Sequence, residues 1–146
     1  MFDALTQVRV LTFGSFDPLH VGHTWLFSQA KKHGDHLTVV VARDSAIRTI
    51  KQHEPYQGEP ARLAAVQADP FVDEAVLGDA QQDSYTLLQQ LPFDVLVVGY
   101  DQRPSDPEIK SLLSKVGKSS VRLVRLPPHK PEQYKSSIMR GSSSNA

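Results

Sequence analysis

Gly14-Ser15-Phe16-Asp17-Pro18-Leu19-His20-Val21-Gly22-His23 follows directly on the apolar, β-branched run from Val8 to Phe13. A run of that kind ending at a glycine is a buried-strand signal, and the residues after it read as a tight turn leading to a helix mouth. The backbone N–H groups that open a helix have no partner within it, so they form a ready anion site. His20 and His23, three residues apart, add side-chain donors on one face. Gly14 and Gly22 allow a phosphate to come close to the backbone. Two other readings compete. One is a merely polar helix start, and the other is a metal pair, since histidines at i and i+3 can share an ion. The metal reading lacks an obvious third ligand, because His33, His36, His53 and His129 lie on other elements. Phosphate binding is the reading the surrounding residues favour.

Working outward, Thr24 to His33 reads as a helix closed by Gly34, and Leu37 to Ala42 as a second buried strand. Lys51 to Glu59, with prolines flanking Tyr56, reads as a mobile loop. Pro60 opens a helix through Ala68, Ala75 to Leu77 is a short strand, and Ser84 to Leu91 is a helix. Asp94 to Val98 is the most apolar strand. A helix from Pro107 to Val116 follows, capped by Ser105 or Asp106 and ended by Gly117, and Val121 to Leu126 is the last strand. Strands alternating with helices predict an α/β fold: a doubly wound, Rossmann-like, five-stranded parallel sheet with helices on both faces. Residues 1–140 are expected to form a single domain, with residues 141–146 a disordered tail. Such sheets bind ligands at the carboxyl ends of their strands, where the order reverses. Gly14 to His23, Arg43-Asp44 and Gly99-Tyr100-Asp101-Gln102 all fall at strand ends.

The chain of 146 residues is long enough to bury a core, and its lack of cysteine excludes disulfides and thiolate metal sites. No apolar stretch reaches the length of a bilayer span, and no basic-then-apolar leader precedes the first strand, so a cytoplasmic protein without membrane partners is expected. The net charge of zero conceals an asymmetry. From His53 to Glu108 eleven acidic residues face only Arg62 and Arg103, whereas after Glu108 eight basic residues face only Glu132. The basic residues are spread over separate elements without interleaved aromatics, which argues against polymeric nucleic acid and for a small anionic ligand.

The His-x-Gly-His of residues 20–23, set in Gly14 to His23, resembles the signature of the cytidylyltransferase-like nucleotidyltransferases. The resemblance continues through Val40 to Asp44, Val72 to Gly78 and Asp94 to Gln102, and so covers most of the chain from Val8 to Arg140. It is nearest to the archaeal-type FAD synthases and next to the glycerol-3-phosphate cytidylyltransferases. The chain departs from the archaeal enzymes at Tyr100, where they usually carry proline, and in lacking their cysteine-bearing C-terminal region.

The resemblance implies transfer of a nucleoside monophosphate from ATP or CTP to a small phosphorylated acceptor, with release of pyrophosphate. It assigns catalysis to His20, His23 and Lys51, and nucleotide binding to Gly14, Ser15, Phe16, His20, Gly22, His23, Asp101, Ser136, Ser137 and Arg140. Ser15 and Phe16 would contribute backbone groups, Asp17 would brace the turn, and Arg62 would support a phosphate or a subunit contact. Mg²⁺ would arrive mainly on the triphosphate rather than on protein ligands, and a homodimer is expected from relatives. An ionised phosphate needs no general base, which agrees with the absence of an evident catalytic dyad. FMN adenylyltransferase is the first reading, glycerol-3-phosphate-type cytidylyltransferase the second, and ATP transfer to phosphopantetheine the third. A non-catalytic nucleotide sensor is the reading from another class. The complete set of transition-state donors argues against it, because binding alone does not require them.

Overall fold

The computed structural model describes residues 7–80 and 85–128. Five strands and five helices alternate as β1 (Arg9–Gly14), α1 (Val21–Lys31), β2 (His36–Val41), α2 (Asp44–Lys51), α3 (Glu59–Gln67), β3 (Glu74–Leu77), α4 (Thr86–Gln90), β4 (Val95–Val98), α5 (Asp106–Lys115) and β5 (Arg122–Arg125). All strand pairs are parallel, in the order β3-β2-β1-β4-β5. The expected doubly wound sheet is therefore present, and its order reverses between β1 and β4.

Successive residues of a strand point to opposite faces, and the two cores follow that alternation. Val10, Leu37, Val39, Val41, Val95 and Val97 pack with Leu26, Phe27 and Ala30 of α1 and Val66 of α3. Leu11, Leu96 and Val98 turn the other way and meet Leu88 of α4 and Ile109 and Leu113 of α5. Burying such side chains contributes roughly 1.5–3 kcal/mol each, which explains why β4 reads as a continuous apolar run. At α5 the cap is Ser105: its hydroxyl accepts from Glu108 N, and Glu108 Oε1 accepts from Ser105 N. Gly117 ends that helix at φ +78°.

Two helices differ from the expectation drawn from the sequence. Lys51 is the last residue of a helix, α2, and not the first of a loop; only residues 52–58 are irregular. α2 buries only Ile47 and leaves Ile50, one turn on, exposed, and its N-terminus is capped from elsewhere, with Asp44 N donating to Glu59 Oε1 at 2.8 Å. α1 starts earlier than expected, at Val21. The tail at residues 141–146 lies outside the described residues.

At the reversal β1 and β4 part company. Their register runs only through Val10↔Val95 and Leu11↔Leu96, whereas β1 and β2 stay paired over six positions. Beyond Leu11 side chains replace the ladder. The buried Thr12 hydroxyl donates to Val97 O at 2.7 Å. Further on, the Gln102 amide accepts from Gly99 N and donates to Phe13 O, both at 2.7 Å. One side chain thus ties together the last turns of two diverging strands. Gln102→Ala leaves a partly buried donor and acceptor unpaired, so chemical denaturation is expected to show a loss of roughly 1–3 kcal/mol. A variant as stable as the parent would mean that the backbone holds the crevice open alone.

Candidate functional site

The chain leaving β1 makes an unusual turn. Phe16 adopts φ +53°, a left-handed conformation that costs a residue with a Cβ about 1–2 kcal/mol. Burial of its ring compensates: Phe16 is 2% exposed, lying edge-on to His23 at 5.0 Å and tilted against Phe27 at 5.3 Å. Gly14 provides the room, since a Cβ there would stand 2.8 Å from Phe16 Cζ. Phe16 therefore offers only its backbone to a ligand, while its side chain plugs the core. Asp17 is a brace, as expected, although its partners are distant in sequence: it accepts from Tyr56 N and Gln57 N, both at 2.8 Å.

His20 and His23 form a capping box made of two imidazoles. His20 is the N-cap of α1, and its Nδ1 accepts from Gly22 N at 3.1 Å. His23 Nδ1 accepts in return from His20 N at 3.1 Å. The rings stack with centroids 3.8 Å apart. Gly22 keeps this arrangement possible, because a Cβ there would lie 2.9 Å from His20 Cε1. Each Nδ1 accepts a backbone N–H and so carries its lone pair there, which puts the proton of the neutral ring on Nε2. Among the described residues neither Nε2 has a partner. Burial lowers the His20 pKa. Burial, helped by the charges of His20 and Lys51, pushes His23 down to about 3. The mouth of α1 therefore holds two neutral rings, each with an Nε2–H to donate, beside the positive end of a helix.

Lys51 comes to this place from α2. Its ammonium donates to Ser15 Oγ at 3.1 Å while the side chain stays exposed. Arg62 is different from the expectation of a phosphate or subunit contact. It is 0% exposed, and its guanidinium is spent internally: Nε donates to Gln57 O at 2.9 Å, Nη1 to Ser15 O at 2.9 Å and Ala42 O at 2.7 Å, and Nη2 to Asp44 Oδ1 at 2.7 Å. Burial alone would raise the Asp44 pKa, but the hydrogen bonds from Arg62 and Glu59 and the nearby positive charge hold it below its ordinary value.

Asp101 stands exposed after β4, across the reversal from the histidines, beside a cleft of about 510 Å³. The walls of that cleft depend on Arg125, whose position gave no signal in the sequence beyond one more basic residue in a basic region. It donates to Gly99 O at 2.8 Å, Gln102 O at 2.9 Å, Pro104 O at 3.1 Å and Asp106 Oδ1 at 2.7 Å. Ser136, Ser137 and Arg140 lie outside the described residues. Among the described residues no group of three or more histidines and carboxylates is placed to enclose a metal ion, and no helix is long and apolar enough to cross a membrane.

Two measurements test this geometry. Arg62→Met removes one partner of a buried pair and strands three carbonyls and Asp44, so equilibrium unfolding should show a loss of about 3–5 kcal/mol. The second concerns His23, whose folded pKa lies below the ordinary 6.5. The unfolded chain takes up a proton near 6.5 and the folded chain does not, so this group favours unfolding as pH falls below about 6.5, and the stabilisation is intact above it. An NMR titration of the His23 ring is expected to stay flat from pH 8 to pH 5, and a protonation step near 6.5 would contradict the described environment.

Comparison with known proteins places this geometry in context. Residues 11–142 match the family model described as cytidylyltransferase-like. The FAD synthase of Aciduliprofundum boonei is 42% identical over 120 residues, covering 82% of this chain and 78% of the relative. The FAD synthase of Thermoplasma volcanium is 37% identical over 134 residues, covering 92% of each. A crystal structure described as the lipopolysaccharide core biosynthesis protein from Thermoplasma volcanium superposes with a TM-score of 0.78 at 36% identity, over 85% of this chain and 99% of that one. With a match spanning most of its length and its five-stranded parallel sheet, the chain belongs to the cytidylyltransferase-like family of nucleotidyltransferases.

Proposed function

We propose that this protein is an FMN adenylyltransferase, which joins the adenylyl group of ATP to the phosphate of FMN to give FAD and pyrophosphate in the cytoplasm. The observation that carries the reading is the pair of neutral imidazoles with Nε2–H donors at the mouth of α1, on the edge of the β1–β4 reversal. FAD synthases among the relatives supply the acceptor. In the reaction a phosphate oxygen of FMN attacks the α-phosphorus of ATP, one O–P bond forms, the bond to the bridging oxygen of the β-phosphate breaks, and pyrophosphate leaves.

Such a displacement depends on in-line positioning and on donors aimed where charge develops. His20 and His23 donate to the oxygens around the α- and β-phosphates, and the N-terminus of α1 with the backbone beside Gly14, Ser15 and Gly22 adds partial positive charge. Lys51, parked on Ser15 Oγ, supplies the full positive charge. Asp101 contacts the nucleoside from the opposite side of the crevice, and Ser136, Ser137 and Arg140 serve the β- and γ-phosphates. The site has no enclosing cluster of metal ligands among the described residues. A divalent cation, Mg²⁺ in our reading, would arrive with the triphosphate and would offset its negative charge.

Pyrophosphate release, measured with ATP or CTP against FMN, glycerol 3-phosphate and phosphopantetheine, tests the proposal. ATP with FMN should be the productive pair and FAD the product; turnover only with CTP and an alcohol phosphate would replace the reading. Nucleotide binding without release in any pair would identify a sensor. His20→Ala and His23→Ala should each lower kcat by about 10²–10³, the usual loss on removing one transition-state donor, with circular dichroism unchanged.

A further inference from the structure

The imidazole pair lies at the mouth of α1, at the β1–β4 reversal, so a product made of two bulky halves joined by a pyrophosphate there extends one half toward β4 and β5 and the other toward β2. On the β4–β5 side lies the cleft beside Asp101. On the β2 side the exposed surface is residues 52–58, and its large side chain is Tyr56, which is 76% exposed. An exposed aromatic is ordinary in itself. What distinguishes Tyr56 is the way its backbone is held. Tyr56 N and Gln57 N both donate to the carboxylate of Asp17, within the motif itself. Gln57 O accepts from the buried Arg62, which also grips Ser15 O, the residue that receives Lys51. Two side chains therefore fix the loop to the phosphate-handling turn while leaving the Tyr56 ring in solvent. The His53 ring stands beside it at 5.4 Å and 37°.

We propose that Tyr56, flanked by His53, is the platform on which the planar ring of the acceptor stacks. It selects an acceptor bearing an aromatic heterocycle over one ending in a small alcohol. This rests on the FMN adenylyltransferase reading and adds the acceptor site to it. Offset stacking on a flat, electron-poor ring needs an aromatic face held in place rather than a deep pocket. The doubly anchored loop meets that need with little ordering required on binding.

Steady-state kinetics with FMN and ATP varied separately, together with FMN binding followed by flavin fluorescence, tests it. Tyr56→Ala should raise the KM and Kd for FMN by about tenfold to a hundredfold, the range for loss of one aromatic stack, and leave the KM for ATP within about twofold. Tyr56→Phe keeps the ring and should restore FMN affinity. If Tyr56→Ala binds FMN as the parent does, or weakens ATP equally, the platform is overturned while the assigned reaction stands. If the parent releases no pyrophosphate from ATP with FMN, the assigned reaction falls and the platform with it.

Discussion

A guanidinium buried to 0% exposure cannot tolerate idle N–H groups, and Arg62 answers that demand by drawing in four separate pieces of chain. Ser15 comes from the turn after β1, Ala42 from the end of β2, Asp44 from the start of α2 and Gln57 from the loop before α3. The planar fork of the side chain fixes their relative positions with a geometry that a lysine ammonium cannot reproduce. A buried ion pair gains little net stability over apolar packing, because desolvation offsets much of the attraction. Its effect here is on placement. Ser15 receives Lys51, Asp44 begins the helix that delivers Lys51, and Gln57 belongs to the loop that Asp17 holds. The anchoring of the ammonium and the shape of the motif turn are thus consequences of one interaction.

The imidazoles work within that frame as neutral groups. A histidine with its ordinary pKa would carry a fractional charge near neutrality, and two stacked ones would repel when charged. The fold avoids this by burying His23 next to the Phe16 ring and by occupying both Nδ1 atoms with backbone N–H groups. The remaining proton of each ring is then committed to Nε2. Fixed tautomers and fixed orientation are what preorganised donors require, since no reorganisation is left for the moment when charge builds on the phosphates. In the proposed reaction the long-range attraction for a polyanion falls to the exposed Lys51 and to the helix terminus. Strong negative charge at the site would raise the imidazole pKa values, so the low starting value of His23 also keeps that ring a donor rather than a proton source.

Much of this was legible because it is local. The strand before Gly14, the helix mouth at His20 and His23, and the Ser105–Glu108 cap all depend on neighbours within a few residues. The parallel, doubly wound arrangement followed from strands alternating with helices. What escaped reading is tertiary. α2 is short, buries a single residue and is capped by Glu59, fifteen residues away, so no local cap or glycine stop marks its ends. Arg62 looked like a ligand arginine, since nothing nearby discloses that Ser15 and Ala42 would surround it. Gln102 and Arg125 hold the other wall of the crevice through carbonyls brought together only when β4 and β5 are in place. Phe16 was legible as a backbone position in the turn, but not as a core side chain, because its positive φ reverses the expected direction.

The two walls are built on one plan, and that plan explains why the crevice can stay open. A parallel sheet closes its ladder wherever it can, and β1 and β4 stop pairing after Leu11 and Leu96. The groups set free must find other partners. Thr12 takes Val97 O, and Gln102 takes Phe13 O and Gly99 N, so the strands separate without leaving those groups unpaired. On either side of the gap an arginine then collects the carbonyls of the departing loops: Arg62 on the β2 side, Arg125 on the β5 side. Each is neutralised by an aspartate at the first residue of a helix, Asp44 of α2 and Asp106 of α5. A carboxylate at that position is also favoured by the helix dipole. The same device, used twice, gives two rigid lips with the imidazole pair near their junction, an arrangement suited to joining two ligand halves through phosphate.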